Sequence, residues 1–274
     1  LYMRHFYVPS PHCIWKNTHK VLPGCVLVFS ADGTLMREYA YWDAKRVIES
    51  AKRNPYEGTI FDATNDVDQV LSLSVQEQML SDVPLGAFLS GGVDSSMIVA
   101  LMQAQSSRPV ETFSIGFHEK SHNEAVFAEA IARYLGTSHT ELYVKADDAL
   151  DLVPNIAKVY DEPFADASQL PTFVVNQLAR KKVTVALSGD GGDELFCGYS
   201  RYTQAKSIWN KIGGIPLPLR SLVANVLGNM PIYWLNHLTK SRGINVADKL
   251  LKSRKLLTAG DQQEMYHRLV SLWE

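Results

Sequence analysis

The chain has few cysteines and no excess of charge of either sign. Its 274 residues include 3 cysteines, and 27 basic against 29 acidic side chains leave a formal net charge of −2. Cys13, Cys25 and Cys197 lie far apart and form no CxxC pair, so we expect no disulfide framework, no zinc site and a cytoplasmic location. Nucleic-acid-binding proteins carry more lysine and arginine, which predicts a small anionic ligand and no nucleic-acid partner.

A long uninterrupted apolar run is also missing. The most apolar stretch, residues 215–235, contains prolines, an arginine and asparagines that a membrane-spanning helix would not tolerate, so no membrane association is expected. Hydrophobic residues make up 46% of the chain, enough for the core of one large domain or two small ones. The chain begins at Leu1 without a signal-peptide pattern, and we expect it to be a fragment.

Alternating strand-like and helix-like segments predict an α/β fold with a doubly wound parallel sheet. The strand-like runs are 85–89, 110–117, 139–144 and 183–187, and the helix-like segments are 96–105, 124–135, 147–160 and 172–181. The β-branched run 183–187 is typical of a parallel strand buried on both faces. Beyond Leu195 the pattern predicts only helices, which would form a helical C-terminal tail.

The first 65 residues have a different pattern. Two short strand-like segments, 26–29 and 35–41, flank Asp32-Gly33, which suits a tight hairpin turn and predicts β structure for residues 1–43. Residues 44–65 are polar and unpatterned, so we expect a linker there. The remaining 66–274 would then form a separate domain.

Two glycine-rich loops directly follow predicted strands. In the first, Ser90 to Ser96, the two glycines let the backbone approach an anion, while the helix N-terminus and the hydroxyls supply donors. Unlike a Walker A loop, it has no lysine after the glycines, and Asp94 stands where a Mg²⁺ ligand would be useful, so we predict a phosphate cradle rather than a capped turn. The second loop, 188–194, has three glycines and three carboxylates, which repel one another unless a cation or a reaction requires them.

Together, the loops resemble a known enzyme family. Residues 89–96 are similar to the pyrophosphate-binding loop of the ATP-pyrophosphatases (PP-loop enzymes), and 187–199 resemble the second signature of the synthetase domain of glutamine-hydrolysing asparagine synthetases of class B type. Residues 113–117 and 161–163 fit the same family. The resemblance implies an adenine nucleotide alpha hydrolase-like fold for the synthetase domain, preceded at 1–43 by a short β remnant of the N-terminal glutaminase domain.

The resemblance implies ATP-dependent amide synthesis by a carbon–nitrogen ligase. The family adenylates the side-chain carboxylate of aspartate with Mg-ATP, releases pyrophosphate, and lets ammonia displace AMP to give asparagine. By similarity, Asp94 and Asp193 would bind Mg²⁺, while Leu89 and Ile115 are equally explained as core residues. The implied nucleotide-binding residues are Leu89, Ser90, Gly91, Gly92, Asp94, Ser95, Ser96, Ile115, Ser188 and Gly189.

This sequence departs from the family pattern in three respects. Asp190, the predicted catalytic residue, stands where asparagine synthetases carry a glutamate that assists ammonia attack, and its carboxylate is retracted by roughly 1.5 Å. Cys13 is internal, so we expect no glutaminase nucleophile here, and ammonia would come from a glutaminase domain or from solution. A pyrophosphate-contacting lysine is expected beyond Glu274, so the chain would be truncated at its C-terminus.

Other functions stay open at this point. A related amidotransferase acting on a glycan precursor or a β-lactam-type carboxylate would use the same adenylation, and a non-catalytic ATP-binding fragment would keep the fold. A tRNA thiolation or lysidine-forming enzyme would need a basic surface. Asp161-Glu162-Pro163, with Asp166 and Ser168, could close the site or contact the acceptor amine, or Glu162-Pro163 could simply end a helix. A homodimer is compatible with the sequence.

Overall fold

The computed structural model describes residues 1–118, 123–229 and 254–271. The chain forms two compact units, one of residues Phe6–Gly191 and one of Leu1–His5 with Gly192–Glu274. The first unit holds a hairpin and a four-stranded sheet with its helices. In the second unit, the described residues contain helices and no strand. The predicted domain boundaries at residues 43 and 65 stay a prediction.

An antiparallel hairpin lies near the start of the first unit. Its strands are β1 (Cys25–Phe29) and β2 (Leu35–Ala40), with Cys25 opposite Ala40. Gly33 turns the chain with a φ of +85°, in the left-handed region that glycine adopts at no steric cost. The hairpin predicted from the sequence is therefore present.

The predicted linker contains a helix. This helix, α2, spans Ala44–Arg53 and follows the short first helix of the chain, α1 (Tyr2–His5). Asp43 caps α2 by accepting a hydrogen bond from the backbone N–H of Arg46 at 2.9 Å. The next helix, α3, spans Ile60–Gln78 and begins at a capping box formed by Thr59 and Asp62. Residues 44–65 were predicted to be a linker because they show no apolar pattern. Capping residues nevertheless start two helices within this stretch.

The central sheet is parallel, in the order β5-β4-β3-β6. Its strands are β3 (Leu85–Phe88), β4 (Glu111–Phe117), β5 (Ser138–Val144) and β6 (Val185–Leu187). The chain runs outward from β3 through β4 to β5 and then crosses to β6 on the other side of β3. The order of the strands therefore reverses between β3 and β6, which are neighbours in the sheet. The carboxyl ends of these two strands form a switch point, the place where open α/β sheets bind ligands.

Helices cover both faces of the sheet. They are α4 (Val93–Gln105), α5 (Ala125–Leu135), α6 (Ala146–Val159) and α7 (Gln169–Ala179). One core cluster joins Ala87 of β3 to residues of α3, α4 and α5, and the other joins Phe88 to Phe113 and to residues of α7. Because successive residues of a strand point to opposite faces, these clusters lie on the two sides of the sheet, and the predicted doubly wound α/β fold is confirmed.

Strand β6 is less buried than its composition predicts. It pairs with β3 at one end of the described sheet, and Val185 is 41% exposed. Val183 is buried but precedes the strand. A β-branched run therefore indicates strand propensity here, while its place in the sheet depends on tertiary packing.

The second unit continues as helices α8 (Gly192–Phe196), α9 (Ser200–Ile212), α10 (Leu217–Asn229) and α11 (Gln262–Val270). Helices α9 and α11 share a small core around Ala205 and Met265. Arg220 is 4% exposed and donates hydrogen bonds to the carbonyls of Ile215 and Ala259 at 2.9 and 2.8 Å, which give its buried N–H groups partners. The predicted helical tail is confirmed where it is described, whereas residues 230–235 of the apolar stretch lie outside the described residues. None of the described helices is long and apolar enough to cross a membrane.

Candidate active site

The two glycine-rich loops meet at the carboxyl ends of β3 and β6. A Cβ atom on Gly189, after β6, would lie 2.6 Å from the backbone N of Ser95 and 2.8 Å from the carbonyl carbon of Asp94, in the first turn of α4. Both distances are below the 3.0 Å that real Cβ atoms keep. Only glycine therefore allows the second loop to pack on the helix that begins in the first loop.

The first loop is shaped by a glycine in a left-handed conformation. Gly91 has a φ of +83°, and a Cβ there would lie 2.7 Å from the Cβ of Phe127 and 2.9 Å from the backbone N of Ala128. Gly92 is the N-cap of α4 and has no side chain that could cap the helix, while its own N–H donates to the Oγ of Ser90 at 3.3 Å. The N–H groups of the first turn of α4 are thus not occupied by a side-chain cap, and such N–H groups can bind an anion.

Hydroxyl groups hold the first loop together. Ser95 is 7% exposed, and its Oγ accepts a hydrogen bond from the backbone N–H of Ser90 at 3.2 Å and lies 2.9 Å from the Oγ of Ser90. Ser96 donates its hydroxyl to the carbonyl of Gly92 at 2.6 Å. These side chains were predicted as donors to a phosphate, but in this arrangement they bond within the loop and leave the backbone N–H groups as its main donors.

The predicted metal-binding carboxylates belong to different compact units. Asp94, in the first turn of α4, is half-buried, and its carboxylate has no hydrogen-bond or ion-pair partner among the described residues. Asp193 lies in the first turn of α8, where a Cβ on Gly198 would come within 1.9 Å of its Oδ1. No group of three or more His, Cys, Asp or Glu side chains within the described ranges could hold a metal ion. The pairing of Asp94 with Asp193 on Mg²⁺ stays a prediction.

Asp190 is an exposed residue of the second loop. Its Oδ2 accepts a hydrogen bond from the hydroxyl of Ser188 at 3.1 Å, and its backbone N–H donates to the same hydroxyl oxygen at 3.4 Å. The serine therefore orients the aspartate from within the loop. The carboxylate remains accessible to a substrate beyond the end of β6.

A cleft of about 440 Å³ opens beside the first loop, at the carboxyl ends of β3 and β4. Of the predicted nucleotide-binding residues, Leu89, Ser90 and Ile115 line it; Leu89 is 1% exposed and also belongs to the core. Six further residues line it and were not predicted from the sequence: Phe88, Phe113, Phe117, Glu124, Thr172 and Val175. The two on α7 are separated from the first loop by more than 70 positions of sequence, so no local pattern links them to it.

Strand β4 extends past the end of β3 at this cleft. The backbone N–H of Leu89 donates to the carbonyl of Phe113 at 2.9 Å, and residues 114–117 pair only with β5 among the described strands. Since alternate residues of a strand direct their backbone polar groups to the same side, those of Ile115 face the side that β3 has left. The backbone N–H and C=O of Ile115 therefore have no strand partner on that side within the described sheet, and a ligand could bind to them.

A half-buried histidine connects β5 to the cleft. His139 has its Nδ1 2.9 Å from the Oγ1 of Thr112 and its Nε2 3.2 Å from the Oγ of Ser114, which lines the cleft. Burial lowers the pKa of His139 below its ordinary value, against a smaller opposing effect of Glu129. The sequence indicated only that His139 opens a strand, although two polar residues at alternate positions of an apolar strand were the signal for this network.

The model of the family described as asparagine synthase matches residues 66–274. The chain belongs to the asparagine synthase family. This membership agrees with the predicted PP-loop type of fold.

The chain is similar to several curated members of this family. It is 40% identical over 209 residues to "Putative asparagine synthetase (glutamine-hydrolyzing) 2" of Methanocaldococcus jannaschii, which covers 73% of this chain and 37% of that protein. It is 34% identical over 231 residues to asparagine synthetase (glutamine-hydrolyzing) 1 of Bacillus subtilis, which covers 84% of this chain and 35% of the relative. The chain thus spans little more than a third of the length of these relatives.

Proposed function

We propose that the chain carries the ATP-dependent synthetase activity of an asparagine synthetase. In the first step, a carboxylate oxygen of aspartate attacks the α-phosphorus of ATP, and the bond to the departing pyrophosphate breaks. In the second step, ammonia attacks the acyl carbon, the bond to AMP breaks, and asparagine forms with loss of a proton. The observation that carries the proposal is the packing of Gly189 on the first turn of α4, which joins both loops into one site.

The first loop suits the pyrophosphate. The N–H groups of the first turn of α4 lie at the positive end of the helix dipole, which favours an anion, and Gly92 adds no side chain beside them. These donors are fixed in advance by the hydrogen bonds among the loop serines. Preorganised donors of this kind stabilise the charge that develops on a leaving group.

Asp94 and Asp193 are the residues that would hold Mg²⁺. Oxygen ligands suit this ion, and a half-buried carboxylate such as Asp94, without a partner in the described chain, is a typical ligand. Bound Mg²⁺ would neutralise charge on the phosphates. The phosphate oxygens would complete the ligand set that two carboxylates leave open.

The cleft suits the nucleotide base. Its volume of about 440 Å³ falls within the usual range for small-molecule sites. Leu89 and Ile115 supply apolar contacts, and the backbone of Ile115 supplies a donor and an acceptor for the edge of adenine. Ser188 and Gly189 would border the phosphates from the second loop.

Asp190 is assigned to the ammonia step. Its exposed carboxylate can accept a proton as ammonia becomes an amide, and Ser188 orients it. Ammonia would reach the site from a glutaminase domain or from solution. Three unpaired cysteines support a reducing cytoplasm as the location. A homodimer is part of the proposal, and light scattering tests it.

Calorimetric titration with Mg-ATP and with Mg-pyrophosphate tests the site directly. We expect wild-type protein to bind both ligands, and Asp94→Asn to bind them at least about tenfold more weakly, because a charged metal ligand is lost. Asp68→Asn, an exposed change on α3, is the matched control and should bind as wild type does. If Asp94→Asn also binds as wild type does, the metal assignment is wrong, and if wild-type protein binds neither ligand, the proposed function is wrong.

A further inference from the structure

The segment of residues 6–20 contacts the loop that follows α6. Glu162, in this loop, accepts a hydrogen bond from the backbone N–H of Ile14 at 3.1 Å on its Oε1 and pairs with the ammonium group of Lys20 on its Oε2. Three residues further on, the backbone N–H of Ala165 donates to the carbonyl of Phe6 at 2.9 Å. Both carboxylate oxygens of Glu162 are thus engaged by chain more than 140 positions away.

The contact between Glu162 and Lys20 is partly buried and joins two charged groups. The side chain of Glu162 is 14% exposed, and Lys20 also donates to the carbonyl of Val8 at 2.6 Å. The hydrogen bond from Lys20, with a further one from the Cys13 thiol, lowers the pKa of Glu162 to about 2. Glu162 is therefore ionised throughout the neutral pH range, and its contacts do not depend on pH there.

The same loop leads directly into a wall of the nucleotide cleft. Asp166 accepts a hydrogen bond from the backbone N–H of Ser168 at 2.7 Å, immediately before α7. Tyr160 donates to the carbonyl of Gln169 at 3.2 Å, which ties the start of the loop to the start of that helix. Ser168 and Thr172 then line the cleft. A displacement at Glu162 would be passed on to this wall through a short, hydrogen-bonded segment.

We propose that Glu162 is a positioning residue for nucleotide binding, which holds the cleft wall at the start of α7 by anchoring its loop to the segment of residues 6–20. This role rests on the proposed function, because it presumes that the cleft binds ATP. Glu162 acts through α7 and does not touch the substrate.

The contacts decide between the roles that the sequence left open for Asp161-Glu162-Pro163. Helix α6 already ends at Val159, so Glu162-Pro163 is not needed to end it. The oxygens of Glu162 are occupied by Ile14 and Lys20 and are not directed at an acceptor amine. Anchoring is the role that uses both of its oxygens.

Titration of single and double variants with Mg-ATP tests the proposal. Glu162→Gln and Lys20→Met should each weaken binding by about five- to tenfold, in the range found for residues that act on a site through packing. The double variant should lose little more than either single one, because both remove the same contact. Lys20→Arg keeps the cation and should bind within about twofold of wild type.

Hydrogen exchange supplies a readout that a merely structural residue would not change. In wild-type protein, Mg-ATP should slow the exchange of amides in residues 13–20, and in Glu162→Gln this slowing should disappear while that of residues 90–96 is kept. The control is Glu111→Gln, which breaks an ion pair with Lys182 of 3.1 Å at the opposite end of β4 and should leave Mg-ATP binding unchanged.

The outcomes separate this proposal from the proposed function. If wild-type protein binds Mg-ATP, and Glu162→Gln and Lys20→Met bind it equally well with the exchange pattern unchanged, the anchoring role is refuted while the function stands. If wild-type protein does not bind Mg-ATP, the function is refuted, and the role of Glu162 with it. Should Glu162→Gln fail to fold, Lys20→Met carries the same test through the other partner.

Discussion

Substitution of Gly189 by alanine is the sharpest test of how the two loops form one site. The added Cβ would lie 2.6 Å from the backbone N of Ser95, whereas ordinary contacts begin at 3.4 Å, so the β6 loop and the start of α4 must separate by up to about 0.8 Å. The atoms in the way are backbone atoms of a helix, which cannot rotate aside as a flexible side chain would.

We expect Gly189→Ala to weaken ligand binding more than it lowers the stability of the fold. A misplacement of about 1 Å in a site can cost on the order of a hundredfold in rate, so we expect Gly189→Ala to bind Mg-ATP at least about tenfold more weakly and to form AMP far more slowly. Overpacking of this kind typically costs about 1–3 kcal/mol of unfolding free energy, which lowers the melting temperature by several degrees. Titration calorimetry and thermal unfolding measure the two effects.

Gly214→Ala is the matched control for this experiment. A Cβ on Gly214 would meet no atom of the described residues within 4 Å, and the residue has an ordinary φ, so the variant should bind and melt as wild type does. Wild-type binding and stability in Gly189→Ala would refute the reasoning, because the loops would then tolerate a separation that the packing forbids. Loss of binding in both variants would point to a nonspecific effect of substitution.

Two further predictions concern Asp190 and His139. Asp190→Glu should preserve or raise AMP formation with aspartate and ammonia, since it restores the carboxylate position of the asparagine synthetases; complete loss in that assay would indicate a different acceptor. Because the pKa of His139 is lowered in the folded state, its contribution to stability is complete above its unfolded value of about 6.5 and is lost as the pH falls below it. Denaturant unfolding at pH 7 and pH 5 should therefore show a smaller loss of stability in His139→Gln than in wild-type protein, and equal losses would contradict this assignment.

Much of the site is encoded in short stretches of sequence. The strand, the Gly91-Gly92 turn and the helix that follows are each signalled by neighbouring residues, because backbone conformation and capping depend on local chemistry. The same is true of the hairpin at Asp32-Gly33. Such features could be predicted without knowledge of the fold.

The sequence predicts that the two loops meet, but it does not predict which strands are neighbours. The parallel pattern predicts that loops meet at one edge of a sheet, yet it does not say that β6 is the strand beside β3. That pairing brings Gly189 against the first turn of α4. It also leaves β6 at the end of the described sheet, where it is more exposed than its apolar composition predicts. Neighbouring strands are chosen by crossovers and packing, which local periodicity does not record.

The sequence by itself determined the α/β class, the hairpin, the two loops and the residue types of the site, because each rests on contacts between near neighbours in the chain. Only the tertiary structure decided which residues form the cleft wall on α7, how His139 joins β4, and that Glu162 pairs with Lys20, 142 positions away. These contacts join segments that share no local signal, and they exist only once the sheet has brought the segments together.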